Sequence, residues 1–126
     1  MLNFLYVALG GSIGASLRFS FYLIFKNFVS LNYVFISTLT VNVIGSFFIG
    51  YIIYFMESKN ITQDFIKFFL IIGVLGSFTT FSTFSIESVE MLVDKKFIQA
   101  FSYMFFSLLL CLLFTYIGLN FNKIIN

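Results

Sequence analysis

The sequence predicts an all-α integral membrane protein with four transmembrane helices, and three observations lead there. Sixty per cent of residues (60%) are hydrophobic and 10% are charged, where a soluble domain carries about a quarter charged residues. Mean hydropathy is +1.05, so a chain this short cannot cover an apolar interior with polar groups. Charged and polar clusters divide it into four apolar runs, each longer than the roughly 20 residues that cross a hydrocarbon core. Runs of that length are too long for barrel strands, which leaves the helix as the element that satisfies its own backbone in lipid.

The 126 residues form a single domain, 1–126. The first span covers about 2–25 and is broken only by Arg18. It is too long for a cleavable signal and has no basic n-region, so it reads as a membrane span. Lys26 to Ser30 are expected as a short connection to the second span, about 32–56. Glu57-Ser58-Lys59-Asn60 to Asp64 form the next loop; the third span covers about 65–93 and ends at Asp94-Lys95-Lys96. The fourth covers about 97–121. Loops this short predict antiparallel packing of sequence neighbours, and an even number of spans puts both termini on one side.

Charge excludes several functions. There is no His, and the one cysteine, Cys111, lies in an apolar run. No intrachain disulfide and no Cys-based metal site can form, and the usual neutral-pH acid–base group is missing. The net charge of +2 is dispersed, so there is no basic cluster for nucleic acid. No membrane-depth acid pair suggests an enzyme. Lys59, Lys67 and Lys123 lie on the side of the termini; Lys26, Lys95 and Lys96 lie on the other, with Arg18 partway into the membrane. The positive-inside rule then gives almost no orientation. Either other signals fix one orientation, or copies insert both ways and pair antiparallel.

Polar residues at membrane depth are costly and usually face the protein interior or a water-filled path. In the second span Thr38, Asn42 and Ser46 recur every four residues, on one helix face. Asn42 serves either a helix–helix hydrogen bond or a ligand with its two amide donors. In the fourth span Tyr103, Ser107, Cys111 and Thr115 make a second such stripe, whose hydroxyls either bond their own backbone or form a polar track. The third span packs six hydroxyl residues and two glycines between Gly73 and Ser85. Ser, Thr and Gly all weaken a helix, which predicts a break mid-membrane with freed carbonyls able to bind a cation. Phe78, Phe81 and Phe84 recur every three residues and are expected on one side. In the first span Gly10 and Gly14 form a close-packing GxxxG face. Arg18 below them either snorkels to the interface or holds a vestibule electropositive, and Glu87 either pairs with a cation or reaches the interface near the end of its span.

Three of these segments carry a resemblance. Gly10-Gly11-Ser12-Ile13-Gly14-Ala15-Ser16-Leu17-Arg18 is similar to the first-helix motif of the Fluc (CrcB-type) fluoride channels. Thr38-Leu39-Thr40-Val41-Asn42-Val43-Ile44-Gly45-Ser46-Phe47 resembles their second-helix motif. Gly76-Ser77-Phe78-Thr79-Thr80-Phe81-Ser82-Thr83-Phe84, with Glu87, resembles their third. The resemblance implies a dual-topology antiparallel homodimer in the cell membrane, with two fluoride pores. It implies a structural sodium ion at the dimer interface, held by main-chain carbonyls corresponding to Gly76 and Thr79. Pore phenylalanines correspond to Phe81 and Phe84, the pore asparagine to Asn42 and the fourth-helix track to Tyr103 and Ser107, with Thr38 on the pathway and Arg18 at the vestibule. Cys111 stands where the family often has a serine, and Ser77 replaces a common second glycine. The expected function is passive fluoride efflux and protection from fluoride toxicity. The rival is a proton-coupled exporter of the small multidrug-resistance type, which would need a titratable carboxylate in the membrane, typically in its first span; the first span has none, and Glu87 is the one moderately deep acid.

Overall fold

The computed structural model describes residues 1–30, 33–59, 63–121 and 123. Six helical segments follow in order: α1 (Leu2–Phe28), α2 (Phe35–Ser58), a π-helix (Phe65–Leu75), the single turn α3 (Gly76–Phe78), α4 (Phe81–Val93) and α5 (Phe97–Leu119). The π-helix, α3 and α4 together occupy one apolar stretch, Phe65–Val93, so four segments are long and apolar enough to cross a membrane. The protein is a multi-pass membrane protein.

Two boundaries differ from the sequence reading. α1 continues through Phe28 and carries Lys26 in its last turn, where a cation is favoured by the partial negative charge of the helix end. The expected connection therefore lies largely within the helix. α2 begins at Phe35; the expected start at Asn32, and Asn60 in the following loop, lie outside the described residues. The wide winding of Phe65–Leu75 was not expected. Of the hydroxyl residues and glycines read as helix-weakening, only Gly73 lies within it.

The spans do not pair mainly with their sequence neighbours. The most extensive contacts join α1 to the π-helix and α2 to α5. These are first with third and second with fourth, pairs that run parallel because the chain crosses twice between them. Glycine decides this pairing. Gly10 and Gly14 are the buried residues of α1, and Gly73 Cα lies against Gly10. A Cβ at Gly14 would meet the backbone carbonyl of Val74, so any larger side chain would force the two segments apart. Gly118 is seated in the same way against the Phe47 carbonyl of α2. In lipid, where no hydrophobic force joins helices, such close backbone approach is what drives association. Aromatic contacts fill the remaining seams: Tyr6 meets Phe65 edge-on at 5.5 Å and Phe21 meets Phe78 at 5.6 Å.

Candidate functional site

The site grows from two residues of the third span. Helical geometry ends at Phe78, and Thr79 (φ −78°, ψ 155°) and Thr80 (φ −150°, ψ 114°) are extended before α4 begins at Phe81. Thr80 caps α4: its Oγ1 accepts from the Thr83 N–H at 3.2 Å and donates to Thr83 Oγ1 at 3.0 Å, the arrangement that makes threonine a favourable N-cap.

An extended pair inside a helix redirects the backbone bonds that normally run from residue i to i−4. Thr80 N–H, whose helical partner would be the Gly76 carbonyl, donates to Asn42 Oδ1 at 2.7 Å, and Asn42 Nδ2 donates to the Thr80 carbonyl at 3.1 Å. Thr83 N–H, whose helical partner would be the Thr79 carbonyl, is taken by Thr80 Oγ1. The Ser77 carbonyl accepts from Arg18 Nε at 3.1 Å. Gly76 and Thr79 are thus among the residues of the step whose carbonyls lose their helical donors, the Thr80 and Thr83 N–H groups being held by other acceptors.

Two cavities flank this step and share Thr80. One, of about 260 Å³, is lined by Arg18, Thr38, Thr83 and Glu87 among others. The other, of about 290 Å³, is lined by Asn42, Ser46, Thr79, Phe81 and Cys111 among others. Thr38 and Tyr103 converge on one carboxylate: Thr38 Oγ1 donates to Glu87 Oε1 at 2.8 Å and Tyr103 OH donates to Glu87 Oε2 at 2.7 Å. Glu87 therefore turns inward instead of reaching the interface. The signal that could have found it is the spacing of Thr83 and Glu87, one turn apart on a helix restarted at Phe81. Arg18 likewise turns inward, onto the third span.

The phenylalanines separate. Phe78 is buried at 6% exposure while Phe81 is 78% exposed, so the two do not share a side. The extended step between them resets the helical register that a three-residue spacing assumes. Phe81 and Phe84 remain together, with ring centroids 5.5 Å apart, and Phe84 lies 5.2 Å from the Tyr103 ring. On α5, Thr115 Oγ1 bonds the Cys111 carbonyl at 2.9 Å, which spends that hydroxyl on its own helix. Ser107 is different: it is 5% exposed, and its Oγ has no hydrogen-bond partner among the described residues.

Four apolar spans around a polar step in the third define an integral membrane protein, with no cluster of metal-ligating side chains among the described residues. A family model described as CrcB-like protein, Camphor Resistance (CrcB), matches residues 5–119, and the chain belongs to that family. It is similar to proteins named fluoride-specific ion channel FluC. That of Campylobacter hominis is 43% identical over 120 residues, 95% of this chain and 94% of the relative. That of Flavobacterium psychrophilum is 35% identical over 119 residues, 94% and 95% of the two chains. A Methanosarcina barkeri relative, fluoride-specific ion channel FluC 3, is 39% identical over 119 residues, 94% and 88% of the two chains.

Proposed function

We propose that this protein is a fluoride-selective channel of the cell membrane that lets fluoride leave the cell passively, working as a dual-topology antiparallel homodimer. The names of its relatives support the ion. The observation that carries the reading is the buried, unpartnered Ser107 hydroxyl. A buried hydroxyl without a partner costs about 1–3 kcal/mol, and a hydrated anion passing along α5 would repay that cost.

Fluoride is small and strongly hydrated, so a pore must replace its water with donors. Asn42 and Ser107 supply an N–H and an O–H group; Thr38 and Tyr103, whose O–H groups are donated to Glu87, would turn to the ion only by leaving that carboxylate. Phe81 and Phe84 supply ring edges, which carry partial positive charge. Arg18 lends positive charge to the 260 Å³ cavity, against the Glu87 carboxylate that lines it as well. Several weak sites in series suit conduction, because the ion must also leave. A negative interior drives an anion outward by about 2.3 kcal/mol per 100 mV. The near balance of lysines on the two sides supports insertion in both orientations, and the exposed Phe81 suits a face that meets the partner copy.

The third span, broken at Thr79–Thr80, fits a sodium ion. Its donor set would be the main-chain carbonyls of Gly76 and Thr79, the oxygens whose helical donors are engaged elsewhere, and hard oxygen ligands suit an alkali cation. A bound sodium ion would supply a fixed positive charge and tie the third spans of two copies together.

One observation favours a second reading. Glu87 places a half-buried carboxylate at depth, as a proton-coupled exporter requires. Purified protein in liposomes decides between them. Rapid fluoride efflux without chloride efflux, unaltered by a pH gradient, supports the channel. No fluoride efflux from folded protein with sodium present rejects it, and efflux driven by a pH gradient points to the exporter.

A further inference from the structure

We infer that Asn42 is a positioning residue that clamps the third span open at Thr79–Thr80, and that this clamp keeps the Gly76 carbonyl available to a cation. The inference rests on the cation site proposed above. Asn42 binds both backbone groups of one residue: its Oδ1 takes the Thr80 N–H at 2.7 Å and its Nδ2 gives to the Thr80 carbonyl at 3.1 Å. This two-point exchange is what a neighbouring β-strand offers an extended residue, here supplied by one side chain from α2.

A carboxamide has two N–H donors and one carbonyl oxygen. The clamp engages that oxygen and one donor, leaving a single N–H for an anion in the 290 Å³ cavity that Asn42 lines. The competing state is a rewound third span, in which Thr80 N–H returns to the Gly76 carbonyl one turn back. That return would occupy one of the two oxygens proposed for the cation. Asn42 Oδ1 opposes it by holding the same N–H. The side chain therefore couples the two ions: it presents one donor to the anion path and, through Thr80, holds one acceptor open for the cation.

The acceptor half of the clamp is separable. Asn42→Asp keeps an oxygen for the Thr80 N–H but loses the amide donors. Asn42→Ala loses both. Phe81→Ile leaves Asn42 untouched while removing an aromatic edge from the path.

The test is a sodium titration of the melting temperature of purified protein, at constant ionic strength with N-methylglucamine as the balancing cation, beside fluoride efflux. Wild type and Phe81→Ile are expected to melt higher as sodium rises, with the same midpoint. Asn42→Asp is expected to keep that midpoint within about threefold while losing efflux. Asn42→Ala is expected to need at least about tenfold more sodium, tenfold being about 1.4 kcal/mol, the worth of one hydrogen-bond-sized contact. A wild type with no sodium response overturns the cation site, and the inference with it. A normal response in wild type that survives unchanged in Asn42→Ala overturns the inference alone. If Asn42→Ala yields no folded protein, Asn42→Asp decides: a retained midpoint supports the clamp and a lost one overturns it.

Discussion

Two serines of equal burial separate a structural hydroxyl from one kept for an ion. Ser88 on α4 and Ser107 on α5 are each 5% exposed. Ser88 Oγ donates to the Phe84 carbonyl at 2.7 Å, whereas Ser107 Oγ has no partner among the described residues. Replacing Ser88 with Ala removes a satisfied bond, worth about 0.5–1.5 kcal/mol net. Replacing Ser107 with Ala removes an unsatisfied group whose burial costs about 1–3 kcal/mol and leaves a void of only one oxygen atom. The stabilities should therefore move in opposite directions: Ser88→Ala down and Ser107→Ala up, about 2 kcal/mol apart. Thermal melting in mild detergent reads the difference. Fluoride efflux from liposomes should move the other way for Ser107→Ala, falling about tenfold for a lost contact of about 1.4 kcal/mol at the barrier. A Ser107→Ala protein that melts lower, as Ser88→Ala does, would show that the hydroxyl has a partner in the assembled protein. Ser107 would then be a structural hydroxyl like Ser88.

Phe81→Ile should abolish efflux with the assembly intact by size-exclusion chromatography; retained flux would count against the aromatic path. Tyr103→Phe removes a 2.7 Å bond to Glu87 and should cost about 1.5–3 kcal/mol, the range for a hydrogen bond to a charged group. A melting temperature equal to wild type would show that the carboxylate finds another donor. Gly14→Leu drives a side chain into the Val74 backbone and should cost about 1–3 kcal/mol, as overpacking does, whereas Leu at exposed Ile13 should cost almost nothing. Three lysines added after Asn126 should lock one orientation and abolish efflux in cells until a copy locked the other way is co-expressed. Full activity from one locked copy would rule out dual insertion.

The part of the site on α2 was legible because it lies on an uninterrupted helix. Thr38 and Asn42, a turn apart on α2, both meet the third span where four-residue spacing places them. Gly10 and Gly14 announce a close helix contact, and they make one. What the sequence hid follows from two residues. The extended conformation of Thr79 and Thr80 resets the register, so spacing counted through them puts Phe78 wrongly on the side of Phe81 and Phe84. The side chain that takes up the freed Thr80 N–H comes from 38 residues away, beyond the reach of local pattern. Short loops also misled, because they limit where neighbouring spans begin and say nothing of which helices share a glycine seam.

The parallel pairing of alternate spans sets the order in which this protein can be assembled as it is made. α1 enters the membrane with its glycine face uncovered and stays so until the π-helix, encoded after all of α2, arrives beside it. α2 waits for α5, which leaves the ribosome after α1 through α4 have done so. No hairpin of adjacent spans is finished on its own, so each seam closes only after another helix has been threaded past it. Contacts of long sequence separation close slowly, and nascent chains with open seams are the ones that mispair. Loss of α5 would leave α2 without its most extensive contact and Glu87 without the Tyr103 hydroxyl. A chain truncated before Phe97 should therefore be degraded rather than persist as a three-helix fragment.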